Sequence, residues 1–192
     1  WRAILDLSFG VRLRDGREVP AVNDATEKTA PAGAVEQLGH ALSRIIHAFA
    51  EAPEDAKVFS AKWDIKDGFW RMACEEGEEW NFAYVLPQPE GKPVWLVVLT
   101  SLQMGWIESP AYFCAATETG RDVATHYVET PVGSRPRHKF LQLTTTGEDY
   151  ERLPETSPNQ EGFGYALEVF VDDYVALAIP TSQAQLDHVS NA

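Results

Sequence analysis

Two adjacent carboxylates, Asp172 and Asp173, interrupt an apolar stretch near the end of the chain. The surrounding residues, 166–179, are rich in β-forming side chains and predict two strands joined by a two-residue turn. Neighbouring anions repel each other, and burying an unpaired carboxylate costs free energy. The pair therefore suggests a divalent cation, and oxygen ligands favour Mg²⁺ or Mn²⁺ over zinc. The alternative is that Asp-Asp is ordinary turn chemistry on a solvated hairpin.

A third carboxylate, Asp64, falls near the end of a strand that we expect at 58–65 and expect to be buried. Taken alone, an aspartate at a strand end is commonplace. If this strand lies beside the Asp-Asp hairpin in one antiparallel sheet, the three carboxylates converge. Three convergent carboxylates can hold two Mg²⁺ ions, which clamp the attacking and leaving oxygens of an in-line phosphoryl displacement.

The rest of the chain must supply the elements that position these residues. Its patterns predict, in order, a strand at 1–9, a polar loop at 10–33, an amphipathic helix at 34–51, paired strands at 80–86 and 94–99, a helix at 109–127, and a loop or surface insertion at 129–164. In the helix at 109–127, Ser109 is the expected N-cap and Pro110 lies in the first turn. This order predicts an α+β fold, with an antiparallel sheet packed on two main helices, rather than a doubly wound parallel sheet. The sequence contains no GxGxxG or P-loop motif.

The net charge of −13 is unfavourable for a broad nucleic-acid-binding surface, because phosphate binding requires basic residues. The acidity is local, since eight acids and one base lie between residues 148 and 173. Cys74 and Cys114 show no metal-type spacing, so we expect free thiols in a reducing compartment. No apolar run is long enough to span a bilayer. The chain opens on Trp1, and we expect it to be a piece of a longer protein.

Three motifs stand in the order and style of the palm motifs of reverse transcriptases. They resemble in particular those of long-terminal-repeat retrotransposons of the gypsy type. The motifs are Asp-Ile-Lys-Asp-Gly-Phe at 64–69, Leu-Gln-Met-Gly-Trp-Ile-Glu-Ser-Pro-Ala-Tyr-Phe at 102–113 and Phe-Val-Asp-Asp at 170–173. The opening Trp-Arg-Ala-Ile-Leu-Asp also resembles the strand of the fingers that precedes the palm. The resemblance covers about residues 1–128 and 166–179, and it is specific because three separate motifs agree.

The resemblance implies a right-hand polymerase palm with partial fingers and without a thumb. It divides the chain into a partial fingers strand, loop and helix at 1–57, a palm with the first catalytic motif, a hairpin and a nucleotide-facing loop and helix at 58–128, an insertion or surface loop at 129–164, and the catalytic hairpin with a truncated tail at 165–192. The implied activity is RNA-directed DNA polymerisation, in which two Mg²⁺ or Mn²⁺ ions assist transfer of a deoxynucleotide to a primer 3′-hydroxyl.

The implied partners are an RNA or DNA template with its primer, the incoming dNTP, and the thumb, connection and ribonuclease H regions of a parent polyprotein. No membrane partner is implied. The implied location is intracellular. It is either the cytoplasm, for example in virus-like particles, or the nucleus.

The resemblance also assigns roles to residues that match its motifs. Asp64 and Asp172 correspond to the two principal metal-binding aspartates, and Asp173 corresponds to their less directly ligating neighbour. All three are catalytic by this correspondence. The backbone carbonyl of Ile65 would complete the metal shell.

Four further residues correspond to positions that contact the incoming nucleotide. Phe69 falls at the aromatic steric gate, whose ring would collide with a ribose 2′-hydroxyl. Arg2 matches a fingers arginine that contacts the triphosphate. Met104 and Gly105 belong to the loop that packs on the nascent base pair, and Gly105 permits close approach of the backbone. Phe69 could instead be an ordinary core residue, and Arg2 a solvated strand residue.

The chain departs from the family pattern in its spacing and in its tail. Ser109 and Asp172 are 63 residues apart, where the family has a helix and a short link, and only 13 residues, without Lys or Arg, follow Ile179. Two other functions therefore stay open. One is a catalytically inactive remnant of a retroelement that keeps the palm fold as an interaction domain. The other is a different palm-type nucleotidyl enzyme, such as an RNA-dependent RNA polymerase or a nucleotide cyclase.

Overall fold

The computed structural model describes residues 5–129 and 164–190. These ranges form, in order, β1 Val11–Arg12, β2 Glu18–Val19, α1 Val22–Ala25, α2 Ala32–Ala50, β3 Phe59–Asp64, β4 Tyr84–Leu86, β5 Trp95–Val97, α3 Ser109–Glu129, β6 Gly164–Phe170, β7 Asp173–Ile179 and α4 Gln183–Ser190. Two short 3₁₀ helices, Gly68–Arg71 and Glu79–Phe82, lie between β3 and β4. The pairs between these strands are all antiparallel, which confirms the predicted α+β class.

The chain divides into two compact units. The first unit takes its described residues from Trp1–Val35 and Ile65–Ala115, and the second from Glu36–Asp64 and Ala116–Ala192. Each of the two long helices, α2 and α3, contributes residues to both units. The three candidate metal-binding aspartates all belong to the second unit.

A three-stranded sheet in the order β3–β7–β6 forms the centre of the second unit. β6 and β7 form a hairpin whose middle is buried, since the side chains Leu167, Val169, Ala176, Leu177 and Ala178 are all less than one-tenth exposed. β3 pairs with the other side of β7 and is exposed at every residue. The strand expected at 58–65 is confirmed as Phe59–Asp64, but the expectation that it is buried is wrong. β3 lies at an edge of the sheet, where burial depends on what packs on the strand and not on its own apolar pattern.

Helical spacing predicted both long helices to within two residues at each end. Pro110 lies in the first turn of α3, where the missing N–H removes no helical hydrogen bond. Ser109 does not cap this helix. It is the first helical residue, and its hydroxyl donates to the carbonyl of Gln103 at 2.8 Å. The Tyr112 amide donates to the backbone carbonyl of Glu108, so Glu108 occupies the N-cap position just before the helix.

The first unit contains two small hairpins that the sequence predicted less well. The expected polar loop at 10–33 includes the β1–β2 hairpin and the one-turn helix α1, so that expectation is wrong in part. Gly16 has a positive φ of 87° in the turn between β1 and β2. Residues 5–9 form no strand, and the remainder of the strand expected at 1–9 lies outside the described residues.

The second hairpin, β4–β5, confirms the predicted pairing but not the predicted lengths. The strand expected at 80–86 begins only at Tyr84, because the preceding residues form the 3₁₀ helix Glu79–Phe82. The strand expected at 94–99 shortens to Trp95–Val97. The insertion expected at 129–164 lies outside the described residues except at its ends, where Glu129 closes α3 and Gly164 begins β6. Within residues 5–129 and 164–190, no helix is both long enough and apolar enough to cross a membrane.

Candidate metal centre

The turn between β6 and β7 determines where the two neighbouring aspartates lie. Its two central residues are Val171 and Asp172, while Asp173 is already the first residue of β7 and pairs with Phe170. Val171 has a φ of 59°, and it alone of the two turn residues has a positive φ, as in a type II′ turn. A β-branched residue in this conformation is strained. The strain shows that the tertiary structure, and not the preference of Val171, determines the turn.

The register of the sheet brings the third aspartate to the hairpin. Asp64 is the last residue of β3 and lies directly opposite Asp173 of β7. Directly opposed like charges destabilise an antiparallel pair. The pairing of Asp64 and Asp173 therefore favours a bound cation at this end of the sheet.

Each of Asp64, Asp172 and Asp173 offers one oxygen such that the three atoms lie within 4.8 Å of one another. Ligands on opposite sides of a Mg²⁺ ion, each about 2.1 Å from it, are about 4.2 Å apart. The 4.8 Å limit exceeds this span by a few tenths of an ångström, which an exposed side chain such as Asp64 can close by a small rotation. The donor set is oxygen only, as Mg²⁺ and Mn²⁺ prefer. These three residues could hold a metal ion.

One cationic side chain contacts this carboxylate cluster. The ammonium nitrogen of Lys62 lies 2.8 Å from Oδ2 of Asp173. The hydrogen bond to Asp173 raises the pKa of Lys62, and the charges of Asp173, Asp64 and Asp172 raise it further. The sequence patterns did not predict this contact. The available signal was the spacing, because residues 62 and 64 of one strand lie on the same face of a sheet.

A partly buried ion-pair network fixes the strand that leads into the turn. Glu168 of β6 is 7% exposed and accepts hydrogen bonds from Nε of Arg44 on α2, at 2.7 Å to each carboxylate oxygen. These hydrogen bonds raise the pKa of Arg44. On α3, the guanidinium of Arg121 lies 2.6 Å from Glu118 and 3.9 Å from Glu168. Burial raises the pKa of Glu118, although Arg121 acts in the opposite direction. Both long helices are thus tied to β6.

A neutral hydrogen bond fixes the strand that leaves the turn. The hydroxyl of Tyr174, next to Asp173, donates to the carbonyl of Thr117 on α3 at 2.7 Å. Gly120 permits this approach, because a Cβ there would lie 2.6 Å from the Tyr174 oxygen. The hairpin that carries Asp172 and Asp173 is therefore fixed on both of its strands.

The residues expected to contact a nucleotide belong to the first unit, apart from the undescribed Arg2. Phe69 lies in the 3₁₀ helix after β3 and packs on Phe113, with ring centroids 4.9 Å apart. The preceding Gly68 is buried, and a Cβ there would lie 2.8 Å from the Phe113 ring. Phe69 is half-buried, so it is not a fully buried core residue. Its role as a steric gate stays a prediction.

The loop that carries Met104 and Gly105 is held by residues of the segment 10–33, which the sequence predicted to be a polar loop. The side-chain amide of Asn23 donates to the carbonyl of Gly105 at 2.9 Å, and its oxygen accepts from the amide of Ile107 at 2.9 Å. The indole of Trp106 donates to the Thr26 hydroxyl at 2.9 Å. Nothing in the sequence pattern pointed to Asn23, because its two partners in this loop are 82 and 84 residues away.

Gly105 occupies a position that no other residue suits. Its φ is +104°, and a Cβ there would collide with the backbone carbonyl of Leu5. We expect Gly105→Ala to lower the free energy of unfolding by about 1–3 kcal/mol. Thermal or urea unfolding of the variant measures this. The control is Gly39→Ala, because Gly39 lies within α2 with open space around it, and alanine there should raise stability by up to about 1 kcal/mol. Equal effects at the two sites would contradict the explanation.

Two expected site residues stay predictions. Arg2 lies outside the described residues. Ile65 follows Asp64 directly in the chain but belongs to the first unit, and the role of its carbonyl as a metal ligand stays a prediction. Of the expected site, the structure brings together Asp64, Asp172 and Asp173.

No model of a known protein family matches the chain, and no curated protein sequence matches it either. A functional assignment for this chain therefore depends on its motifs and on the geometry of the aspartate cluster.

Proposed function

We propose that the chain is the fingers–palm portion of an RNA-directed DNA polymerase. The observation that carries the proposal is the register of β3 against β7, which brings three carboxylate oxygens within 4.8 Å of one another. These three residues come from two of the motifs that resemble reverse-transcriptase palm motifs, and those two motifs lie more than a hundred residues apart in the chain. Turn chemistry alone gives no reason for Asp64 to lie opposite Asp173.

In this proposal Asp64 and Asp172 hold two Mg²⁺ or Mn²⁺ ions, and Asp173 supports them from the start of β7. When bound, such ions neutralise charge on the reacting phosphate and on the attacking primer oxygen. The protein itself supplies the fixed carboxylates. Its rigid supports, the Glu168 ion pairs and the Tyr174 hydrogen bond, keep the hairpin in one position, which is what a preorganised site requires.

The nucleotide would be selected by the residues that match the nucleotide-contacting positions of the family. Phe69 would exclude a ribose 2′-hydroxyl, and the Met104–Gly105 loop would pack on the nascent base pair. Arg2 would contact the triphosphate. The carbonyl of Ile65 would be a further metal ligand. These roles come from the resemblance, and each is a proposal.

A catalytically inactive remnant is the second candidate. The net charge of −13 favours it, because binding the phosphates of a duplex requires basic residues. The presence of all three carboxylates in one cluster speaks against it. A polymerase that copies RNA into RNA is disfavoured by Phe69, since such enzymes need room for the 2′-hydroxyl.

Primer extension by the longest natural chain that contains this sequence tests the proposal. We expect that chain to add deoxynucleotides to a primer annealed to RNA or to DNA when Mg²⁺ or Mn²⁺ is present. Chelation with EDTA should stop the reaction, and an excess of the metal should restore it. A folded, Mn²⁺-binding chain that extends no primer on either template would favour the inactive remnant.

A further inference from the structure

Lys62 lies in the metal centre and is not explained by the proposed catalytic residues. It precedes Asp64 by two positions on β3, so both side chains lie on the same face of the strand. Its ammonium is 2.8 Å from Oδ2 of Asp173. Among the ion pairs of the described residues, this is the only one that involves any of the three aspartates.

The position of Lys62 answers a problem that the carboxylate cluster creates. Without a cation, three carboxylates within 4.8 Å of one another would repel at close range. Lys62 supplies one positive charge to this group of three. It holds Asp173, which is the residue that both faces Asp64 across the sheet and adjoins Asp172 in the chain.

The contact between Lys62 and Asp173 is also easy to displace. The Lys62 side chain is 61% exposed, and solvent screens an ion pair at such a site. A divalent ion on Asp173 would lie about 2.1 Å from a carboxylate oxygen. An ammonium held against the same carboxylate would repel this ion, so the two cations oppose each other's binding.

We propose that Lys62 is an internal counter-ion that holds the aspartate cluster in the absence of metal and leaves Asp173 when metal binds. This inference rests on the proposed function, since it requires the three aspartates to be a metal site. Lys62 is then a positioning residue that sets metal affinity. It keeps the cluster assembled and weakens the binding of a free ion, because the ion must displace the ammonium first.

Mn²⁺ binding to the 192-residue chain tests the inference, with free Mn²⁺ measured by electron paramagnetic resonance. We expect Lys62→Met to tighten binding at the site by about 3- to 10-fold, since it removes one repelling charge a few ångströms from the ion. Lys62→Arg retains the charge and should bind as the parent does. The matched control is Lys57→Met, because Lys57 is exposed and lies before β3, on the order of 20 Å from the cluster at 3.3 Å per residue. It should change the affinity less than about 2-fold.

A second measurement separates this role from a merely structural one. In EDTA, Lys62→Met should melt at a lower temperature than the parent, because the carboxylates then lack a counter-ion. Saturating Mn²⁺ should raise its melting temperature by more than it raises that of the parent. A structural role of Lys62 predicts a loss of stability in both conditions.

The outcomes distinguish the inference from the function on which it rests. Equal Mn²⁺ affinity in the parent and in Lys62→Met, with binding lost in Asp172→Asn, would overturn the role of Lys62 and leave the metal site standing. Weaker binding by Lys62→Met would overturn it as well. If neither protein binds Mn²⁺ more tightly than Asp172→Asn does, the metal site itself is overturned, and the role of Lys62 with it.

Discussion

Asp172→Asn is expected to lower primer extension by the longest natural chain by at least about 100-fold, because it would remove a charged ligand from the proposed two-metal site. The substitution keeps the shape of the side chain. Asparagine is also well accepted at the second central position of a turn, where Asp172 lies. The variant should therefore fold as the parent does and lose only the charge. Steady-state rates of dNTP incorporation in Mg²⁺ and in Mn²⁺ measure the effect.

The control for this prediction is Asp55→Asn. Asp55 is exposed, belongs to the same compact unit and is not a member of the aspartate cluster, so the same change in charge and shape should leave incorporation within about 2-fold of the parent. Asp64→Asn should reproduce the loss seen for Asp172→Asn. If both cluster variants retained the parent rate, the assignment of these residues as catalytic ligands would be wrong, even if the chain proved to be a polymerase.

The convergence of the three aspartates could be predicted from the sequence because two local signals combine. The run 166–179 predicts a hairpin with a two-residue turn, and such a turn fixes the register of its strands. Asp64 needed only to lie at the end of a neighbouring antiparallel strand. The structure confirms the shared sheet. The sequence placed both Asp172 and Asp173 at the tip of the hairpin, and this is wrong for Asp173, which is the first residue of β7.

The two long helices could be predicted for a similar reason, since the 3.6-residue spacing of apolar side chains is a local property. The exposure of β3 could not be predicted from the sequence. Its apolar residues, Phe59 and Trp63 among them, suggest burial, yet they are 42% and 54% exposed. Whether an edge strand is covered depends on elements that are distant in sequence, and the local pattern of the strand contains no information about those elements.

The supports of the site were also beyond the reach of local patterns. Arg44 and Glu168 are 124 residues apart, and the hydrogen bond between them joins α2 to β6. Asn23 holds the Gly105 loop across 82 residues. Lys62 differs from these, since its two-residue spacing from Asp64 was visible in the sequence. A strand assignment combined with side-chain alternation would have placed it beside the carboxylates.

Phe69→Ala is expected to raise the use of ribonucleotides relative to deoxynucleotides by about 10- to 100-fold, because it would remove the group that collides with the 2′-hydroxyl. The measurement is the ratio of kcat/KM for rNTP and dNTP on the same enzyme preparation. This ratio is insensitive to partial unfolding, since both substrates meet the same folded fraction. That property matters here, because Phe69 packs on Phe113 and alanine removes the contact.

The ordinary packing role of Phe69 makes a different prediction. Truncation of a half-buried ring should cost on the order of 1–3 kcal/mol of stability and lower both substrate rates together, with the ratio unchanged. Phe69→Tyr is the matched control, since it keeps the ring and should keep both the exclusion and the contact with Phe113. A changed ratio in Phe69→Ala with the parent ratio in Phe69→Tyr would assign the exclusion to the ring itself. An unchanged ratio in both variants would leave Phe69 as the packing partner of Phe113 and remove the sequence-based reason for preferring DNA synthesis over RNA synthesis.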